Sequence, residues 1–131
     1  MTIRSAIAES RNIPAVKGLY IAGIGNVIDQ AKRQGINSLG SPDKYGLSLV
    51  LGSAEVKLAE HVNGYETFAN GGRHHKQTYV MSVANSNGEV LEEWTEDEGD
   101  EALDPQIAYS ITSILSAVSY THLTLPTIYS V

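Results

Sequence analysis

The spacing of apolar residues changes twice along the chain, and that pattern most narrows what it can fold into. Up to Gly35, and again over residues 54–70, the apolar positions recur at the three-four spacing of helices. Thr78 to Ala84 then alternates, and Glu89 to Trp94 forms a second extended run. The helical spacing returns after Asp104. Helices on either side of one hairpin are the expected elements. The chain has 131 residues, 42% of them apolar, which suits one domain with a modest core.

Residues 2–10 predict a short helix with Ile3, Ala6, Ile7 and Ser10 on one face. A second helix is expected with Asn12 as N-cap, Pro14 in its first turn, and Ile13, Val16, Tyr20, Ile21 and Ile24 as apolar positions. Gly23 and Gly25 end it. Asn26 can cap a third helix, whose inner stripe is Val27, Ile28 and Ala31 and whose end is Gly35. The run from Leu47 to Gly52 reads equally as a short buried strand or an extended loop. Residues 54–70 predict an amphipathic helix with Leu58, Val62, Tyr65 and Ala69 on one face, stopped by Asn70-Gly71-Gly72. Asn85-Ser86-Asn87-Gly88 predicts a hairpin turn. Residues 95–103 read as an acidic loop. Asp104 and Pro105 then start a last helix, with Ile107, Ile111, Ile114, Leu115 and Val118 buried.

Charge is distributed unevenly. All nine Lys and Arg lie between Arg4 and Lys76, whereas nine of the fifteen acids lie beyond Gln77. The net charge of −6 and the lack of a basic run exclude a nucleic-acid partner. No apolar run reaches the roughly 18 residues that a membrane span needs. The opening Met1-Thr2-Ile3-Arg4-Ser5 has no apolar stretch behind it of the kind a signal peptide carries. There is no Cys, hence no disulfide, thiol nucleophile or thiolate metal site.

Several side-chain groups invite a chemical reading. His74 and His75, with His61, lack an acid at ligand spacing and read as a solvated loop. The run from Glu96 to Glu101 lacks the spacing of a calcium loop and reads as a solvated linker. No metal or cofactor is therefore expected. Tyr65 and Phe68 read as core, and Trp94 as a cover for the inner face of the hairpin. Ser41-Pro42-Asp43-Lys44 is the single Ser-x-x-Lys, placed in a loop with Pro in second position. Ser10-Arg11-Asn12 is a Ser-x-Asn triplet, which in isolation reads as a helix cap.

Four blocks in order give that triplet a context. Residues 2–17, running Thr-Ile-Arg-Ser-Ala-Ile-Ala-Glu-Ser-Arg-Asn-Ile-Pro-Ala-Val-Lys, resemble the segment around the second active-site motif of class A penicillin-binding proteins. Tyr45-Gly-Leu-Ser-Leu-Val-Leu-Gly-Ser-Ala-Glu-Val56 is similar to the run before that family's next core helix. Tyr65-Glu-Thr-Phe-Ala-Asn-Gly-Gly72 resembles its Tyr-x-x-Phe-Ala-Asn-Gly-Gly signature. Val90, Leu91, Trp94 and Leu103-Asp-Pro-Gln-Ile-Ala-Tyr109 follow in the family's order.

The resemblance implies an α/β (α+β) piece of the transpeptidase and β-lactamase-like fold, mostly its helical part plus one hairpin. It covers residues 1–116. It also implies acyl transfer through a serine, shared among Ser-x-x-Lys, Ser-x-Asn and Lys-Thr-Gly motifs. Ser10 corresponds to the hydroxyl that relays a proton to the leaving amine. Asn12 corresponds to the amide that holds the first motif's Lys and a substrate carbonyl. The first motif does not precede Ser10, and no Lys-Thr-Gly occurs.

The expected parent is a bifunctional peptidoglycan synthase on the extracytoplasmic face of the bacterial plasma membrane. It would cross-link stem peptides ending in D-Ala-D-Ala and take β-lactams, with membrane contact only through an N-terminal anchor. The chain alone is expected to be inactive, and the alternative is a non-catalytic binding or scaffold module derived from the same fold. Lys57 stands where the family commonly has the Thr of a Thr-x-x-Glu cap, and Arg73 where it has an apolar residue. Both read as drift or error in a loop. Residues 117–131 carry no charge if His122 is neutral, do not resemble the family, and look like a read-through ending rather than native protein. Met1 falls at a position internal to the family.

Overall fold

The computed structural model describes residues 1–117. Five helices, two 3-10 turns and two small antiparallel ribbons make up an α+β arrangement. Val118 and the tail lie outside the described residues.

Helix α1 (Ile3–Ala8) starts from a reciprocal capping box, in which Thr2 and Ser5 each accept from the other's backbone N–H. Helix α2 (Asn12–Ala22) follows after a tight break. Gly23, at φ 83°, both ends α2 and starts helix α3 (Ile24–Arg33), a change of direction that suits a residue without Cβ. Gly25 and Asn26 therefore belong to the first turn of α3, where the Asn26 amide donates back to Ala22 O at 2.7 Å. In α3, Ile28 is fully buried and Gly35, at φ 84°, follows the last turn as expected.

The run from Leu47 to Gly52 is neither strand nor extended loop. Leu47–Leu51 winds into a 3-10 turn closed by Gly52 in the left-handed region, and it packs against α2.

Helix α4 (Leu58–Ala69) forms where its pattern places it but turns its other face inward. Asn63, Gly64 and Thr67 are buried, whereas Leu58, Val62 and Tyr65 are exposed. Gly64 lies in that face, close enough to Ile36 that a Cβ there would stand 2.9 Å from its Cδ1. The polar inner face is satisfied internally: Thr67 Oγ1 donates to Asn63 O and the Asn63 amide to His75 O.

The hairpin forms as expected but is short. Strand β2 (Ser82–Ala84) pairs with β3 (Val90–Glu93), with a bulge at Val83 and Ala84. Asn85 Oδ1 accepts from the N–H groups of Asn87 and Glu89, which holds the turn. All seven strand residues are exposed. Trp94, 38% exposed, lines a shallow hollow with Met81 and Val83 rather than closing a core.

A second ribbon has no counterpart in the sequence reading. Strand β1 (Arg73–His74) pairs with β4 (Asp100–Glu101), setting Arg73 opposite Glu101. Arg73 Nη1 also donates to Gly99 O at 2.8 Å, so Arg73 lies in a ribbon rather than in a loop. Helix α5 (Pro105–Leu115) opens on Asp104, whose carboxylate accepts from Gln106 N at 2.7 Å. Ala108 is its fully buried residue, and Ile107 is exposed.

The buried apolar set is small: Ala6, Ala8, Leu19, Ile28, Ala102 and Ala108. Several residues expected inside lie outside, among them Ile13, Tyr20 and Ile21, the last 83% exposed. Exposed apolar surface of this extent marks a face suited to packing. No helix among the described residues is long and apolar enough to cross a membrane.

Ser38 bridges the cap residue Lys57 and Glu60 at the start of α4. Its Oγ donates to Glu60 at 2.6 Å and accepts from Lys57 N at 3.3 Å. The Ser38 hydroxyl, helped by the backbone N–H groups of Ser38 and Asn37 and by Lys57, holds the Glu60 carboxyl below the usual carboxylate range. A pKa lowered in the folded state stabilises the fold above the unfolded value and loses that effect as pH falls through the lowered one. Ser38→Ala is therefore expected to lower stability at neutral pH. The gap to the parent chain should close in acid, as urea unfolding at both pH values will show.

Candidate functional site

The Ser-x-Asn triplet lies at the junction of α1 and α2. Helix α1 ends in a Schellman arrangement: Arg11 N–H donates to Ala6 O at 2.9 Å and Ser10 N–H to Ile7 O at 3.0 Å. The residue between the helix cap and Arg11 must be left-handed, a place glycine usually takes. Here it is Ser10, at φ 52° the only non-glycine residue with positive φ among those described. The position carries a hydroxyl in spite of the backbone cost.

Asn12 is not the N-cap of α2. It is the first helical residue, Arg11 holds the cap position, and no side chain caps this end. The N-cap reading thus fails for Asn12, whereas Ser10 belongs to the capping turn that ends α1. Both residues are exposed, two positions apart, on the rim of one cleft. Arg11 points its guanidinium to Glu9 at 2.8 Å, an exposed pair that contributes little.

The cleft holds about 600 Å³. One wall is the α1 face that the sequence groups together, Ile3, Ala6 and Ile7. The other is Val50 and Leu51 from the 3-10 turn, which sequence reasoning did not place here. The signal for that wall was the apolar run itself, whose conformation was open. Helix α1 is anchored from behind, since Arg4 donates to Ser113 O at 2.9 Å and Ser113 Oγ at 3.0 Å on α5. A two-turn helix gains its position from such a clamp rather than from its own propensity.

The other candidates fall elsewhere. Ser41 holds the N-cap position of the 3-10 turn Pro42–Lys44, donates to the Asp43 carboxylate, and does not line the cleft of Ser10 and Asn12. His74 and His75 are half-buried against α4 rather than solvated, with His75 Nδ1 3.4 Å from Glu66 Oε1. Among the described residues, no three His, Asp or Glu side chains converge as a metal-ligand set. Tyr65 is half exposed rather than core, and it meets Phe68 and His61 edge to face at 6.0 and 5.3 Å.

Comparison with known proteins bears on the triplet's context. No family model matches the chain. It is 36% identical over 91 residues to penicillin-binding protein 1A of Rickettsia bellii, a match covering 70% of this chain and 11% of the relative. It is 37% identical over 93 residues to penicillin-binding protein 1A of Aquifex aeolicus, covering 71% and 12%. Penicillin-binding protein 2D of Bacillus subtilis is 32% identical over 120 residues, covering 90% and 16%. The chain thus spans between 11% and 16% of the length of these curated relatives. From these matches over most of its length, the chain belongs to the class A penicillin-binding protein family.

Proposed function

We propose that this chain is the segment of a peptidoglycan DD-transpeptidase that carries the second active-site motif, on a partial penicillin-binding-protein fold spanning residues 1–116. The observation that carries the reading is Ser10, a serine kept in a left-handed position at the rim of an apolar cleft, with Asn12 two residues on and free of capping. A strained non-glycine residue at such a place supports a use for its side chain.

In this reading the Ser10 hydroxyl passes a proton toward the leaving amine. The Asn12 amide accepts from the nucleophile motif's Lys and donates to the substrate carbonyl. The parent enzyme cross-links stem peptides ending in D-Ala-D-Ala on the outer face of the plasma membrane, and β-lactams acylate its nucleophile. The described segment supplies neither that nucleophile nor the strand that gathers the substrate carboxylate. The 131-residue chain alone therefore forms no acyl-enzyme.

Labelling with a fluorescent penicillin tests both halves. The isolated chain should stay unlabelled; a covalent adduct at Ser41 or any other serine overturns that half. A chimera in which residues 1–116 replace the matched segment of the Bacillus relative should label. Asn12→Ala in that chimera should slow acylation about a hundredfold or more. Undiminished labelling of the Asn12 variant overturns the assignment.

A further inference from the structure

Three Asn-Gly pairs occur in the chain: Asn63-Gly64, Asn70-Gly71 and Asn87-Gly88. Each can lose its side-chain amide without an enzyme, since the following glycine leaves its backbone nitrogen open to reach the Asn Cγ. The sequence treats the three alike, but the structure does not.

Asn63 is 8% exposed in the middle of α4. Its amide is engaged with His75 O, and Gly64 is pressed against Ile36. For attack, the Gly64 nitrogen must leave the helix ladder and rotate inside a packed contact. Asn70 is exposed at the C-cap of α4, but its amide donates to Glu66 Oε1 and lies 3.3 Å from His75 Nδ1. Asn87 is the free case. It is exposed, its side chain has no hydrogen-bond partner among the described residues, and nothing lies within 4 Å of a Cβ built on Gly88. Only the bond from Gly88 N–H to Asn85 O, at 3.0 Å in an exposed two-stranded hairpin, restrains the nitrogen.

We propose that Asn87 is a modification site selected by the fold, deamidating ahead of Asn70 and well ahead of Asn63. Hydroxide takes the proton of Gly88 N–H. The nitrogen then forms a bond to Asn87 Cγ, the Cγ–Nδ2 bond breaks, and ammonia leaves with a proton from water. Water opens the resulting succinimide at either carbonyl, giving Asp or isoaspartate. The net change consumes one water and releases one ammonia, with no oxidant or reductant. The product puts a new carboxylate beside Glu89. In its isoaspartate form it also adds a carbon to the backbone, which displaces the N–H groups that Asn85 Oδ1 now accepts.

The test is peptide mapping by mass spectrometry of the folded full chain during incubation at mildly alkaline pH, with a parallel sample in concentrated urea. In the folded chain, conversion at Asn87 should exceed that at Asn63 by about tenfold or more, because local opening gates the helix site and not the turn. In urea the three rates should converge. Equal rates at Asn87 and Asn63 in the folded chain overturn the proposal, as does Asn70 overtaking Asn87. A folded-state ranking that survives unchanged in urea overturns it too, because the order would then come from local sequence.

Discussion

Gly72→Ala is expected to cost about 3 kcal/mol or more, enough to unfold a domain with a core this small. Two independent terms add. Gly72 sits at φ 94°, where a side chain is strained. A Cβ there would also lie 2.0 Å from Leu103 O, and a backbone oxygen cannot swing aside as a flexible side chain can. That closeness has a purpose: Gly72 O accepts from the N–H groups of both Ala102 and Leu103, while Gly72 N–H donates to Thr67 O at 2.8 Å. One residue therefore ties the end of α4 to the approach of α5. Chemical denaturation of the variant beside Gly71→Ala separates the terms, because Gly71 also has positive φ but open space around it. Gly71→Ala should show the backbone strain alone. Equal losses at both positions would refute the role given to the contact with Leu103.

Ser10→Gly should move stability and chemistry in opposite directions. Glycine relieves the left-handed backbone at φ 52°, and a gain of about 0.5–1 kcal/mol is expected in the isolated chain. In the transpeptidase chimera the same change removes the relay hydroxyl, and penicillin acylation should slow about a hundredfold or more. Ser10→Ala keeps the strain and loses the hydroxyl, so its acylation should fall equally without the gain in stability. Loss of stability in Ser10→Gly would show that the hydroxyl serves the fold. Unchanged acylation in both variants would remove Ser10 from the chemistry.

The element boundaries that were legible rest on local chemistry. Asp104-Pro105 opened α5, Gly23 and Gly35 ended helices, and Asn85 to Gly88 turned the hairpin, because each acts within a few residues of itself. The face grouping Ile3, Ala6, Ile7 and Ser10 was legible for the same reason, as helical spacing puts them together before any packing occurs. Which face is covered was not legible. Leu58, Val62 and Tyr65 form the apolar stripe of α4, yet Asn63, Gly64 and Thr67 are the residues turned inward, with Ile36 packed against Gly64. The pairing of Arg73–His74 with Asp100–Glu101 joins residues too far apart for any local pattern to report.

For the site, sequence alone supplied the triplet and its family context, since both are strings of residues read in order. It also determined that three Asn-Gly pairs exist and that the positive charge ends at Lys76. Only the tertiary structure decided that Ser10 takes a left-handed backbone, that Asn12 is released from capping, and that Val50 and Leu51 supply the opposite wall of the cleft. Likewise only the structure separates Asn87 from Asn63. The physical reason is common to all of these. Periodicity and caps are local properties of the chain, whereas strain, burial and the distance of closest approach depend on which distant backbone arrives alongside.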